Sequence, residues 1–484
     1  MNNKCAYCKL NPRESKPKTA GIYCTECRLK MAKCEIKSVL FKDVPKTLSI
    51  PKFEELFAHQ KNIIDANTLK CGLFLGTGGG KTRIALEMAE GRTLIITPKQ
   101  QFLDKTWERN ADRFSIILNM TVMSKETFRR DWDTLPYYDT IIVDEAHTMF
   151  GATPDTTIIK GVPTPKLSQL FESLFKFIQK HPPKRFYPCT ATPVSKPMNV
   201  WAIARLMGYD WDFFKFREKY YFQKKIGKWN RWLPRGNPDL KNKLAEIVKR
   251  FGYTGRLSDW FDVPEQTHIT KYVFLTNEQK AAIEEVRKTQ ADPLVKRAKI
   301  RTIENGILYG RDITQIGLKS EKLIKTIKHF DSEKIDYILE RAEEFPKILI
   351  FANYIAQIEA ISKALKSNGY NVKVLTGASN DRNTIITDAD ASEKCIVVAQ
   401  CGISSGYELK TFDCVIFASK NYQYLHYDQG VGRVLRADAL KKNLYIHLVV
   451  KNDEKVNGKI VSSVDESCHE TILSGQDFQE KIYE

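Results

Sequence analysis

The stretch "GLFLGTGGGKTRIALEMA", residues 72–89, constrains this chain more than any other. An apolar run that reads as a buried strand leads into Thr77-Gly78-Gly79-Gly80-Lys81-Thr82, and a helical pattern follows until Gly91. Strand, glycine loop and helix in that order make a cradle for phosphate. The backbone can approach an anion where side chains would block it, the first N–H groups of the helix face it, and a lysine adds charge. The strict form of the pattern places a glycine six residues ahead of the lysine, where this chain has Leu75, so the looser Gly78-x-Gly80-Lys81-Thr82 applies. On this spacing the N–H groups of Gly78, Gly79, Gly80 and Lys81 are expected to face a β-phosphate. Lys81 is expected to bridge the β- and γ-phosphates of ATP, and Thr82 to hold Mg2+.

A nucleotide hydrolase also needs an acidic strand end, and "YDTIIVDEAHTMF" supplies it. The run "TIIV" reads as a buried parallel strand with Asp144 and Glu145 at its carboxyl end, where such sheets bind ligands. Asp144 is expected to hold Mg2+ through water, and Glu145 to orient and deprotonate the attacking water. Further strand-and-helix units follow, in "LIITPKQQFLDKTWERN" and in "RFYPCTATPVSKPMNVW". Much later come "KILIFANYIAQIEAISKALKSNGYNVKVLTG", "CIVVAQCGISSGYEL", "FDCVIFAS" and "YDQGVGRVLRAD". These predict a second α/β domain without a phosphate loop. It offers Gln429, Arg433 and Arg436, and two arginines three apart on a helical turn suit a γ-phosphate presented by the other domain.

The ordered set resembles the superfamily 2 helicases and translocases, over residues from about 50 to 450. The resemblance implies two RecA-like parallel-sheet domains, with catalytic roles for Lys81, Asp144, Glu145, Arg433 and Arg436. "FAHQKNII" resembles the adenine-reading motif, with Gln60 as the base contact. "TPKQQFLDKTWERNADRF", "TATPVSKPMNVWAIARLMGYD" and "DVPEQTHITKYVFLTNEQ" resemble the Swi2/Snf2 branch. "AQCGISSGYEL" with "QGVGRVLR" is similar to phage recombination helicases of the UvsW kind. Ala-Thr-Pro stands where Swi2/Snf2 proteins usually carry Gly-Thr-Pro, and the last arginine motif lacks their histidine. The resemblance also makes Thr97, Ser124, Thr376 and Ser404 candidates to hold nucleic-acid phosphates. The competing reading for any one of these hydroxyls is a helix cap.

The expected organisation is a zinc-binding segment at 1–40, a RecA-like domain at 50–205 and helical insertions or linker at 206–330. A second RecA-like domain at 331–450 and a tail at 451–484 complete it. Cys5-x2-Cys8-x15-Cys24-x2-Cys27 has the spacing of a structural Zn2+ site, two thiolates from each knuckle completing a tetrahedron. Cys34 lies outside the spacing, and the other six of the eleven cysteines are scattered singly and read as core. A formal net charge of +18 points to a polyanionic partner. The stretch "WDFFKFREKYYFQKKIGKWNRWLPRG" interleaves aromatics with cations, which suits backbone neutralisation with base stacking; an amphipathic helix pair packed on the core is the alternative. No apolar run approaches the roughly 18 residues that span a membrane, and the start lacks a secretory signal, so a cytoplasmic monomer without membrane partners is expected.

The leading functional expectation is an ATP-dependent enzyme that translocates on duplex or branched DNA in recombination, fork processing or repair, in a phage or otherwise. An RNA-dependent DEAH-type helicase is the second reading. The third is a binding module in which ATP sets conformation and the zinc ribbon recruits a protein partner.

Overall fold

The computed structural model describes residues 55–474 except 195, 227–228, 236–239, 316–320, 380, 404–406, 436–440, 453–454, 457–458 and 461. The chain divides between Asp262 and Val263 into two units. The expected zinc ligands Cys5, Cys8, Cys24 and Cys27, with Ser404 and Arg436, lie outside the described residues.

In the first unit the short apolar runs form β1 (Gly72–Leu75), β2 (Arg92–Thr97), β3 (Asn119–Ser124) and β4 (Thr140–Val143). A hairpin of β5 (Ala152–Ile159) and β6 (Val162–Leu167) follows, then β7 (Arg185–Pro188), a second hairpin of β8 (Tyr221–Ile226) and β9 (Trp229–Pro234), and β10 (Gly252–Gly255). Strands buried on both faces read as continuous apolar runs, which is the signature of a parallel sheet covered by helices. Accordingly β3, β2, β4 and β7 lie side by side in that order, all parallel. β1 extends the sheet through backbone bonds from Cys71 N to Phe186 O (3.1 Å) and from Thr190 N to Leu73 O (3.2 Å). β10 pairs in parallel on the outer side of β1.

That last strand lies inside the segment expected to be helical insertion or linker. Its four residues, Gly-Tyr-Thr-Gly, are too few to announce a strand. Gly252 is required there, since a Cβ would fall 2.1 Å from the carbonyl oxygen of Gly72. The same segment holds helices at Phe213–Tyr220 and Leu240–Val248 as well as the β8–β9 hairpin. Of its aromatics, Phe213, Phe216, Tyr220 and Tyr221 belong to the buried core with Trp201 and Phe251, while Phe222 is exposed.

In the second unit β11 (Thr267–Val273) precedes a hairpin of β12 (Ile307–Gln315) and β13 (Glu321–His329). Then come β14 (Lys347–Ala352), β15 (Val372–Leu375), β16 (Cys395–Gln400), β17 (Cys414–Phe417) and β18 (Leu444–Val450). Six of these form one parallel sheet in the order β11-β18-β17-β14-β16-β15. The two parallel α/β sheets expected from the sequence are therefore both present. Beyond residue 450 the expected tail contains a helix, Val464–Leu473, with Cys468 and Ile472 fully buried. Asp465 of that helix meets Lys334 at 2.7 Å, both side chains almost wholly buried. All six described cysteines are free and buried, as their scattered spacing implied.

Candidate active site

The glycine loop sits at the carboxyl end of β1 and turns into the helix Lys81–Glu87. Gly78 (φ 83°) and Gly80 (φ 76°) occupy the left-handed region that disfavours a side chain. A Cβ on Gly80 would also fall 1.9 Å from Gln60 Nε2, so the loop presses directly on that glutamine. Gln60 Oε1 accepts the Phe57 N–H at 3.0 Å and closes the start of the helix Ala58–Asp65. The residue expected to read a base thus also props the loop. His59 braces the other side. Its Nε2–H donates to Gly79 O (3.2 Å), and its ring stacks on Trp260 at 3.9 Å. Burial pushes the His59 pKa down to about 4, so the ring is neutral near pH 7.

One expected donor is committed elsewhere. The Gly79 N–H bonds Gly76 O at 3.1 Å and tightens the loop instead of facing an anion. Lys81 Nζ lies 2.9 Å from Leu75 O and 3.2 Å from Gly76 O, so its ammonium caps the carbonyls at the loop's mouth.

The acidic pair follows β4. Asp144 is buried and accepts from three directions: Trp107 Nε1 (3.3 Å), the Thr97 hydroxyl (3.1 Å) and the Glu145 N–H (2.8 Å). Burial, then the adjacent Glu145 charge, push the Asp144 carboxyl above its ordinary range. Glu145 goes the other way. Burial disfavours its charge, but the bond with His147 and the charges of His147, Lys81 and Lys125 outweigh it and hold the pKa at about 2. Glu145 is also left-handed (φ 42°), a strained conformation for a side-chain-bearing residue. His147 Nδ1 is 3.4 Å from Glu145 Oε2 and 3.0 Å from Thr190 Oγ1, which joins the acidic turn to the Thr-Ala-Thr-Pro segment after β7.

Two neighbours of the pair escaped sequence reasoning. Lys125 is buried, donates to Glu145 O (2.8 Å) and lies 2.6 Å from Thr148 Oγ1. Burial pulls its pKa down to about 8, against the upward pull of Asp144 and Glu145. Trp107 is the lone large aromatic of the otherwise polar helix Thr106–Arg113, a signal that the helix aims one side chain inward.

The expected phosphate-holding hydroxyls behave differently from one another. Thr97 is fully buried and shares its one proton between Asp144 Oδ2 and Gln101 Oε1, both at 3.1 Å. Ser124 Oγ accepts the Thr127 N–H at 3.1 Å and caps the helix Lys125–Asp131. Both side chains thus serve the protein's own structure, and for Ser124 the cap alternative holds. Thr376 is half-buried at the end of β15, beside exposed Gly377 and Ala378, and accepts the Ala378 N–H at 3.3 Å. Arg433, expected to reach a γ-phosphate, is buried in the second unit. Its Nε donates to Gln429 O (2.8 Å) and its Nη1 to Tyr407 O (2.6 Å), tying the loop before residue 410 to the arginine turn.

The residues present fit a magnesium nucleotide. Two left-handed glycines give the loop a turn that side-chain-bearing residues rarely adopt, a lysine follows it, and Lys81 lies close enough to Glu145 to depress its pKa. Lys81 with the loop would hold phosphates, and Thr82 with Asp144 would hold the ion. Among the described residues no group of three or more His, Cys, Asp or Glu side chains could by itself hold a metal.

Residues 318–438 match the family of the helicase conserved C-terminal domain. This stretch runs from β13 past the arginine turn and supports a superfamily 2 helicase. A search of curated protein sequences finds no match. Among solved structures, the helicase domain of Hef from Pyrococcus furiosus is similar, with 13% sequence identity and a TM-score of 0.44, covering 82% of this chain and 95% of that one.

Proposed function

We propose that the chain is an ATP-dependent translocase of the superfamily 2 kind that acts on duplex or branched DNA. The observation that carries it is that Lys81, after β1, lies close enough to Glu145, after β4, to depress its pKa, the two strands flanking β7, in a chain whose residues 318–438 match a helicase C-terminal domain. Bound ATP with Mg2+ would supply a γ-phosphoryl group activated for in-line displacement by water.

The chain's own residues prepare for that step. Lys81 offers positive charge at the loop's mouth. Asp144 is held in place by three donors, which fixes its carboxylate for an ion. Glu145, held ionised by His147, Lys81 and Lys125, is assigned to orient the water and accept its proton. Arg433 is the tie that shapes the arginine turn, and Arg436 is assigned the contact with phosphate.

The net charge of +18 supports a polyanionic partner, and the likenesses to Swi2/Snf2 and UvsW-type proteins favour DNA over RNA. A zinc ribbon at Cys5, Cys8, Cys24 and Cys27 is assigned a grip on a second duplex arm or on a protein partner. The deciding experiment is the ATPase rate with no nucleic acid, single-stranded DNA, duplex DNA, a four-way junction and RNA. Stimulation by duplex or junction DNA is expected. Stimulation by RNA alone would favour the DEAH-type reading, and no stimulation by any polymer would leave a binding module.

A further inference from the structure

The β5–β6 hairpin leaves the sheet immediately after the acidic motif. The turn Ala146–Met149 leads through Phe150 and Gly151 straight into β5. Its foot is fixed. Asn199 Nδ2 donates to Phe150 O (2.9 Å), Ser168 N to Gly151 O (2.6 Å), and Ala152 is buried. Its tip is a two-residue turn, Lys160-Gly161, with both residues at positive φ (50° and 78°), the geometry that matches the twist of a tight hairpin. Ile158, Ile159 and Val162 flank that turn and are 66%, 52% and 61% exposed. Lone two-stranded ribbons are marginal in water, and an apolar tip on one gains nothing for the folded chain.

The β8–β9 hairpin stands beside it. Lys224, Lys225 and Arg231 are exposed on its strands, and residues 221–234 contain no acidic residue. Arg217 joins the two hairpins. Its Nη1 donates to Pro154 O on β5 (3.4 Å), while its guanidinium lies 4.0 Å over the Trp232 ring on β9.

We propose that the paired hairpins form a strand-parting element. The cationic β8–β9 ribbon takes the phosphates of a duplex arm, and the apolar tip of β5–β6 inserts between bases where the duplex ends or branches. The inference rests on the reading of the chain as a nucleic-acid translocase and adds what it does to the substrate. Three side chains at a tip are too few for a protein interface, which needs about 1,200 Å2 or more of buried surface. They are enough to unstack one base step, which proteins achieve with one or two apolar wedges. Lys160 at the turn and Lys166 on β6 keep the tip's flanks cationic, with Asp155 toward the foot as the one acid of the hairpin. Because Glu145 lies only a short turn ahead of the foot, the wedge is attached to the segment that carries the acidic pair.

The test uses the full chain and a four-way junction carrying 2-aminopurine at the branch. Two variants are compared with the wild type: Ile158→Ser/Ile159→Ser/Val162→Ser, and Lys224→Ala/Lys225→Ala/Arg231→Ala. All six positions are exposed, so unchanged melting curves verify folding. Wild-type binding should raise the 2-aminopurine signal, and the tip variant should bind without raising it. The tip variant should keep junction-stimulated ATPase within about twofold while junction resolution falls about tenfold or more, since the wedge acts after the strand is gripped. The ribbon variant should lose affinity and flatten the dependence of log affinity on log salt, by about 0.9 for each phosphate contact removed. A wild-type protein that leaves 2-aminopurine stacked, or a tip variant that resolves junctions at the wild-type rate, would overturn the wedge. Absence of any nucleic-acid stimulation in the wild type would instead overturn the translocase reading, a different and recognisable failure.

Discussion

Replacing Lys125 by Met tests the charge balance beneath the acidic pair. In the wild type one buried ammonium serves a carbonyl and a hydroxyl at 2.8 and 2.6 Å and lies close enough to two buried carboxylates to perturb them. Methionine fills a similar volume and removes only the charge and the donors. Removing one partner from a buried ionic group typically costs about 3–5 kcal/mol, because the remaining charge stays desolvated. For a unit of this size each kcal/mol moves the midpoint by about 2–4 °C, so the unfolding transition of the first unit should fall by about 6–20 °C.

The pH dependence gives the sharper test. Without the ammonium, Asp144, already raised by burial and by Glu145, rises further, and Glu145 loses one of the charges that depress it. A carboxyl whose folded pKa lies above its unfolded value makes the folded state hold the extra proton. Stability is then gained as pH falls and lost as pH rises through the folded value. The penalty should therefore be larger at about pH 7 than at about pH 5.5, read by calorimetry on both proteins. Adding Glu145→Gln to Lys125→Met should recover part of the loss, since the two sites share one charge network. A penalty below about 1 kcal/mol, or one independent of pH, would show that the ammonium does not balance the pair.

Lys81→Ala should abolish ATP turnover while nucleic-acid binding survives, checked by phosphate release and by filter binding, because the lysine serves the glycine loop. Glu145→Gln should keep ATP affinity and lower kcat by roughly 100-fold or more; a change of only a few-fold would remove the water-orienting role. In the second unit, burial first and then the Lys420 charge hold His447 at about 2, and burial holds His469 at about 3. Both are neutral when folded but protonate when unfolded, so stability should fall with pH below about 6.5, by about 1.4 kcal/mol per pH unit for each. A flat melting temperature between about pH 6.5 and pH 4.5 would contradict that assignment.

The legible part of this protein is the part written in runs. Apolar strands of the "TIIV" and "KILIF" kind carry their burial in composition, and the glycine loop carries its geometry in residue type, so both sheets and the loop's position follow from the sequence. β10 and the β5–β6 and β8–β9 hairpins are illegible because four residues, or short strands mixing polar and apolar residues, produce no comparable signal. At the site the limit is of another kind. Thr97 and Ser124 stand at strand ends of the first unit and Arg433 at a helix end of the second, yet each directs its polar atoms to its own unit's backbone or side chains. A strand end is where unsatisfied backbone groups and ligand atoms compete for the same hydroxyls and guanidinia. Position in the chain names the competitors, and only packing decides between them. Where packing buries the side chain, as with Thr97, the winner is the protein, and the residue influences chemistry through the carboxylate it orients. The hairpin tips show the converse. Ile158 and Val162 read as ordinary strand formers, and their exposure in the fold is something no local pattern encodes.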